Sequence, residues 1–161
     1  MKKTFLLLAL FIAPAIAEQK FMCVDPGRIL QESKLVKTKE TQLRSKVEDY
    51  QKQLDQINRR LEDLKKQIES KAIAQKVREE KIKEYQRLES EGLELQQKAN
   101  KELSELKGKM EEEIGTKVKA IAEEIGKKQG LTGIIDCSAF LYRSPEIDIT
   151  QEVIQRLDQQ K

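Results

Sequence analysis

The stretch LRSKVEDYQKQLDQINRRLEDLKKQI, residues 43–68, decides the fold. Its residues Leu43, Val47, Tyr50, Leu54, Ile57, Leu61, Leu64 and Ile68 recur at spacings that alternate four and three without a miss. That alternation is the a/d signature of a coiled-coil seam, because it keeps one stripe of a helix facing a partner. The positions between are nearly all Lys, Arg, Glu, Asp and Gln, which hydrate the remaining surface. A long helix follows from this stretch alone.

Beyond Ile68 the phase fails: Ile68, Ile73, Val77 and Ile82 are separated by five, four and five. Periodicity resumes through Tyr85, Leu88, Gly92, Leu95, Ala99, Leu103, Leu106 and Met110, then Ile114, Val118, Ile121 and Ile125. The break is read as a helix–helix turn within residues 70–76. An unbroken helix would span roughly 150 Å at 1.5 Å per residue and would strand a short β segment at each end. A hairpin instead brings those ends together. The second arm carries Gly92, Gly108, Gly115 and Gly126, which fit either a bending helix or a close helix approach.

At the N-terminal side of the arms, Lys20 to Val24 reads as a strand, and Asp25-Pro26 opens a helix with Asp25 as its cap. At the C-terminal side, Gly130 and Gly133 stop the second arm. Ile134 to Cys137 reads as a strand, Ser138-Ala139 as a tight connection, and Phe140-Leu141-Tyr142 as the second strand of a hairpin. A last amphipathic helix carries Val153, Ile154 and Leu157 on one face, with Thr150 as the expected N-cap. The fold class is therefore α+β and mostly α: a long antiparallel helical hairpin on a small β head. The head is residues 18–30 and 131–161, and the arms are residues 31–130.

Composition agrees. The 161 residues are 37% charged and 38% hydrophobic but only 4% aromatic, with three Pro, seven Gly and no Trp, so burial must run along thin helical seams. His is absent, which removes the usual neutral-pH acid/base and the commonest metal ligand. The first residues read Met1-Lys2-Lys3, then an apolar run from Phe5 to Ala13, then Pro14 and Ala15-Ile16-Ala17. A basic start, a short apolar run and an A-x-A site predict a secretory signal peptide, residues 1–17, cut between Ala17 and Glu18. The run is shorter than the roughly 20 residues a spanning helix needs. Removal of Lys2 and Lys3 leaves 29 basic and 28 acidic residues, a net of +1.

The end motifs resemble a known family. Val24-Asp25-Pro26-Gly27-Arg28-Ile29-Leu30, Gly133 to Tyr142, and Ile147-Asp148-Ile149-Thr150 with Val153-Ile154 together resemble the Skp/OmpH family of periplasmic chaperones. The resemblance implies a homotrimer whose strands build a β-barrel body, with three helical hairpins projecting around a cavity. It implies a periplasmic holdase that keeps unfolded outer-membrane proteins from aggregating, without ATP or any cofactor. The implied partners are those unfolded proteins, two further copies of the chain and, weakly, the membrane surface or lipopolysaccharide.

Other constellations carry no chemistry. Arg59-Arg60 and Lys65-Lys66 interleave with Glu62, Asp63 and Glu69 and read as a solvated face. Residues 31–74 hold 11 basic and 8 acidic side chains, too small an excess for nucleic acid. Glu111-Glu112-Glu113 and Glu123-Glu124 lack the alternating ligands and central Gly of a calcium loop. Asp136 and Asp148 have no nucleophile beside them, and Asp148 reads as turn chemistry. No P-loop, GxGxxG or GxSxG occurs, so no catalytic, metal or cofactor-binding residue is assigned. Tyr50 and Tyr85 read as seam residues.

Two expectations concern the head. Ile134, Ile135, Phe140 and Tyr142 are the candidate apolar contacts of a trimeric head core. Cys23 and Cys137, both on expected strands in an oxidising compartment, are either a disulfide or two buried free thiols. Two functional classes are left, a holdase chaperone and a structural coiled-coil spacer of the cell envelope; an exported enzyme is disfavoured by the missing His. A pure spacer has no need of the β head.

Overall fold

The computed structural model describes residues 20–160. The expected signal peptide and its Ala17–Glu18 cut lie outside the described residues. Strand β1, Phe21–Val24, leads into helix α1, Pro26–Glu32. Helix α2, Lys34–Glu69, and helix α3, Gln75–Gln129, form the hairpin. Strand β2, Gly133–Asp136, and helix α4, Thr150–Gln159, complete the head.

Each boundary has a local cause. Asp25 accepts the Arg28 N–H and Pro26 takes the first turn, so α1 starts where its missing donor costs nothing. The first arm is broken at Ser33, whose extended backbone ends α1 and whose hydroxyl accepts the Val36 N–H to open α2. This break has no Gly or Pro to mark it. At the far end, Gly130 adopts φ 63° and closes α3 in the left-handed conformation that glycine adopts without strain.

Strands β1 and β2 pair in parallel, with Cys23 opposite Ile135 and Val24 opposite Asp136. The whole helical hairpin serves as the crossover between them. The expected β hairpin ending in Phe140–Tyr142 is not formed. Asp136 turns its carboxylate onto the Ser138 N–H at 2.8 Å, and Cys137–Ala139 winds into a 3-10 turn. A side chain that captures a nearby backbone donor competes with ladder formation, and here it ends the strand. A second 3-10 turn covers Pro145–Ile147.

Thr150 is not the N-cap of α4 but its first residue. Its N–H and hydroxyl both donate to Asp148 Oδ1, and its Oγ1 accepts the Asp25 N–H at 2.9 Å. Asp148 therefore does the capping, and the threonine hydroxyl joins α4 to the end of β1.

The core lies where the arm roots meet the head. Val24, Ile29, Val36, Ile114, Ile121, Ile125, Ile149, Val153, Ile154 and Leu157 form one buried cluster drawn from β1 and all four helices. Burying a Leu, Ile or Val side chain is worth about 1.5–3 kcal/mol, so this cluster is the main source of head stability. Along the arms, burial thins to Leu64, Leu88 and Ala99.

Candidate functional site

Among the described residues, no group of three or more His, Cys, Asp or Glu side chains is arranged to hold a metal ion. No helix among them is long and apolar enough to cross a membrane. The surface that remains to be explained is that of the arms and the exposed edge of the head.

A two-helix seam cannot cover both partners. The heptad residues Leu43, Tyr50, Leu54, Ile57 and Leu61 are only half-buried. Val47 and Leu106, on the apolar series, and Val77 and Ile82, where its phase fails, are each more than a third exposed. Leu93, off that series beside Gly92, is 57% exposed. Pairs that cross the seam hold the helices in register: Lys39 to Glu113 at 2.6 Å, Arg60 to Glu84 at 2.9 Å, and the Tyr50 hydroxyl donating to Glu102. The Glu102 carboxylate accepting that hydroxyl raises the Tyr50 pKa above its ordinary value.

Shallow grooves open between these pairs. One is lined by Lys46, Tyr50, Glu102, Leu103, Leu106 and Lys109. Another, near the tip, is lined by Ile68, Ile82 and Tyr85 with Lys65, Glu69 and Glu89. Each tyrosine is thus half-buried in the seam and also lines a groove.

Glycine placement separates the two roles left open for the second arm. A Cβ on Gly92 would meet Ile57 Cγ2 at 3.3 Å, so there the helices approach closely. At Gly108 and Gly115 a Cβ would meet nothing within 4 Å, so close approach does not account for them.

At the tip, Arg78 of α3 reaches back to α2. Its guanidinium donates to the Ile68 carbonyl and, at 3.0 Å, to the Ser70 carbonyl. These are among the orphan carbonyls of a helix C-terminus, and a cation there also suits the helix dipole. Residues 65–78 carry five Lys or Arg against one Glu.

In the head, the four candidate contacts do not share one environment. Ile134 packs against the core cluster and Phe140 is half-buried. Ile135 is 39% exposed and Tyr142 is 86% exposed, so neither belongs to the core of a single chain. Phe21 and Leu141 are also exposed. Sequence reasoning missed that the core of the lone chain would be built from the arm roots and α4 instead. The Ile114, Val118, Ile121 and Ile125 periodicity carried that signal.

Cys23 and Cys137 form a disulfide, with Cα atoms 4.8 Å apart and a sequence separation of 114. Beside it Asp148 gathers several partners. Arg143 lies at 3.1 Å and Arg28 at 3.6 Å from its Oδ2, while Oδ1 takes the Thr150 donors. Burial pushes the Asp148 carboxyl up, but the Thr150 hydrogen bonds and the two guanidinium groups outweigh it and hold it below the usual carboxylate range.

Comparison with known proteins places this architecture. The family profile for Outer membrane protein (OmpH-like) matches residues 20–157. An uncharacterized protein of Aquifex aeolicus (strain VF5) is 40% identical over 158 residues, covering 98% of this chain and 97% of that one. The crystal structure of an OmpH-like protein of Caulobacter crescentus CB15, a candidate outer membrane chaperone, superposes with a TM-score of 0.78 at 19% identity. That match covers 92% of this chain and 88% of the other, and shows a shared fold. The chain belongs to the OmpH-like outer membrane protein family.

Proposed function

We propose that this chain is an ATP-independent holdase chaperone of the periplasm, reached after removal of residues 1–17, that captures unfolded outer-membrane proteins between its helical arms. The observation that carries the reading is the incomplete seam. Val47, Val77, Ile82, Leu93 and Leu106 offer apolar contact along charged arms that lack Trp, so each contact with a client is weak. Weak contacts repeated on several arms raise one another's effective concentration and still release reversibly.

The working form is a homotrimer. A two-stranded sheet with open edges is marginal by itself, and the head leaves Phe21, Ile135, Leu141 and Tyr142 exposed. Strands from three copies joined there make a barrel body and remove the edges. Three hairpins then surround a cavity. Membership in the OmpH-like family supports this reading, as does the fold shared with the Caulobacter protein.

The test dilutes a urea-unfolded outer-membrane protein into the purified protein without ATP and follows light scattering. Suppressed aggregation is expected, together with a trimer mass for the chaperone alone. A form lacking residues 54–95, rejoined by a short linker, should keep its oligomeric mass and lose the activity. Unsuppressed aggregation by the full chain would favour an envelope spacer instead.

A further inference from the structure

The two sulfurs of the head disulfide lie in unequal surroundings. Arg143 Nη1 lies 3.4 Å from Cys23 Sγ, within hydrogen-bond reach. Cys137 directly follows Asp136 in sequence, and the Ser138 N–H and hydroxyl, and more weakly Arg143, hold the Asp136 carboxyl below its ordinary value. The same Arg143 guanidinium pairs with Asp148 at 3.1 Å, and Arg28 lies 3.6 Å from that carboxylate. Access differs in the same sense: Cys23 is fully buried, whereas Cys137 keeps 5% of its surface exposed.

Thiol–disulfide exchange is decided by which sulfur can be reached and by which sulfur leaves as the more stable thiolate. A guanidinium stabilises a thiolate and a carboxylate opposes one. Access and leaving-group stability therefore select the same sulfurs. We propose that the Cys23–Cys137 disulfide is a thiol-exchange site of fixed polarity, entered at Cys137 with Cys23 as the leaving group. An external aliphatic thiolate uses its electron pair to form a new S–S bond to Cys137 Sγ. The Cys23–Cys137 bond breaks, and its electron pair goes to Cys23 Sγ beside Arg143.

A second external thiolate then attacks the sulfur of the first. Cys137 is released and takes a proton from water, so two external thiols are oxidised as one protein disulfide is reduced. Closure runs the same path backwards: a disulfide donor first loads Cys137, and the Cys23 thiolate expels the donor's thiol. The exchange matters to the head because the Cys23 carbonyl accepts the Ile149 N–H at 3.0 Å and Cys23 also bridges to Asp148. The sulfur that is kept in place is the one on which β1 meets the start of α4.

The experiment incubates the folded, oxidised protein with reduced glutathione, quenches in acid and maps the glutathionyl adduct by peptide mass spectrometry. An adduct on Cys137 in excess over Cys23 on the order of tenfold is expected, with the excess lost in urea. Arg143→Gln should bring the native ratio toward one, and Arg143→Lys should restore part of it. A native adduct that is equal on both sulfurs or favours Cys23 overturns the proposal. So does a native protein that takes no adduct under conditions that label the urea-unfolded chain.

Discussion

Ser33 Oγ donates a 2.6 Å hydrogen bond to Asp158 Oδ1, tying the root of the first arm to the last helix across 125 residues of sequence. The same oxygen accepts the Leu35 N–H at 3.1 Å. The first turn of α2 is thus capped twice, by Ser33 from its own chain end and by Asp158 from α4. Ser33 is fully buried, so the hydroxyl cannot turn to water when its partner is removed.

Asp158→Ala should therefore lower head stability by about 1–3 kcal/mol, combining a lost cap with a buried donor left unpaired. Urea unfolding followed by far-ultraviolet circular dichroism measures it. A midpoint unchanged from the native protein would mean that water replaces the carboxylate without penalty.

Acid should weaken the head through the same carboxylates. Burial pushes Asp158 up, but hydrogen bonds from Ser33 and from the Leu35 and Lys34 N–H groups hold it below the ordinary aspartate value, and Asp148 is depressed as well. A carboxylate depressed in the folded state contributes stability above its unfolded pKa of about 3.9 and loses it as pH falls through the folded value. Melting temperature should therefore drop below about pH 4. Asp148→Asn combined with Asp158→Asn should start lower and fall less steeply. Parallel pH profiles for the two proteins would place the acid sensitivity elsewhere.

The second arm offers a test of its glycines. Gly108→Ala and Gly115→Ala face open space, so each should stabilise α3 by about 1 kcal/mol. Gly92→Ala must displace Ile57 and should gain less, or lose. Equal gains at the three positions would show that the helices part at Gly92 without cost.

The arms were legible because a heptad repeat is a local pattern with one geometric solution. The 43–68 series and its loss of phase after Ile68 are enough to expect a long helical hairpin. The helix break at Ser33 was not legible, since no Gly or Pro marks it and the Asp158 carboxylate that helps to cap it is far away in sequence. The head was half-legible for the same reason. Ile134 to Asp136 has strand character, but its partner is β1, reached through the whole hairpin, while Phe140 to Tyr142 is diverted by the Asp136–Ser138 hydrogen bond. Cysteine positions allowed a disulfide, and only the parallel register brings Cys23 beside Cys137. The exposed arm residues could not be told from seam residues, because periodicity says which face is apolar and not how much of it a single partner covers.

At the tip, Arg78→Ala should leave the Ile68 and Ser70 carbonyls without their cation and speed amide exchange over the last turn of α2. Arg78→Lys should rescue little, since a single ammonium cannot span two carbonyls as the guanidinium fork does. Exchange confined to its native rate in both variants would mean that the turn holds its own shape.

The proposed capture mechanism makes the sharpest demand on Val47, Val77 and Leu93. These residues are 45%, 41% and 57% exposed, and so contribute less to the seam than their apolar character implies. Replacing all three by Gln keeps helix propensity and removes apolar surface from the arms. Stability should change by about 0.5 kcal/mol or less per site, as for other surface positions. Suppression of client aggregation should nevertheless fall severalfold, and by more than the single variants predict, because each lost contact lowers the effective concentration of the others. Glu48→Gln, Lys76→Gln and Glu94→Gln, at neighbouring positions, serve as the control and should leave suppression unchanged. If the triple apolar variant holds clients as well as the native protein, the arms act by enclosure alone, and their exposed apolar residues have another use.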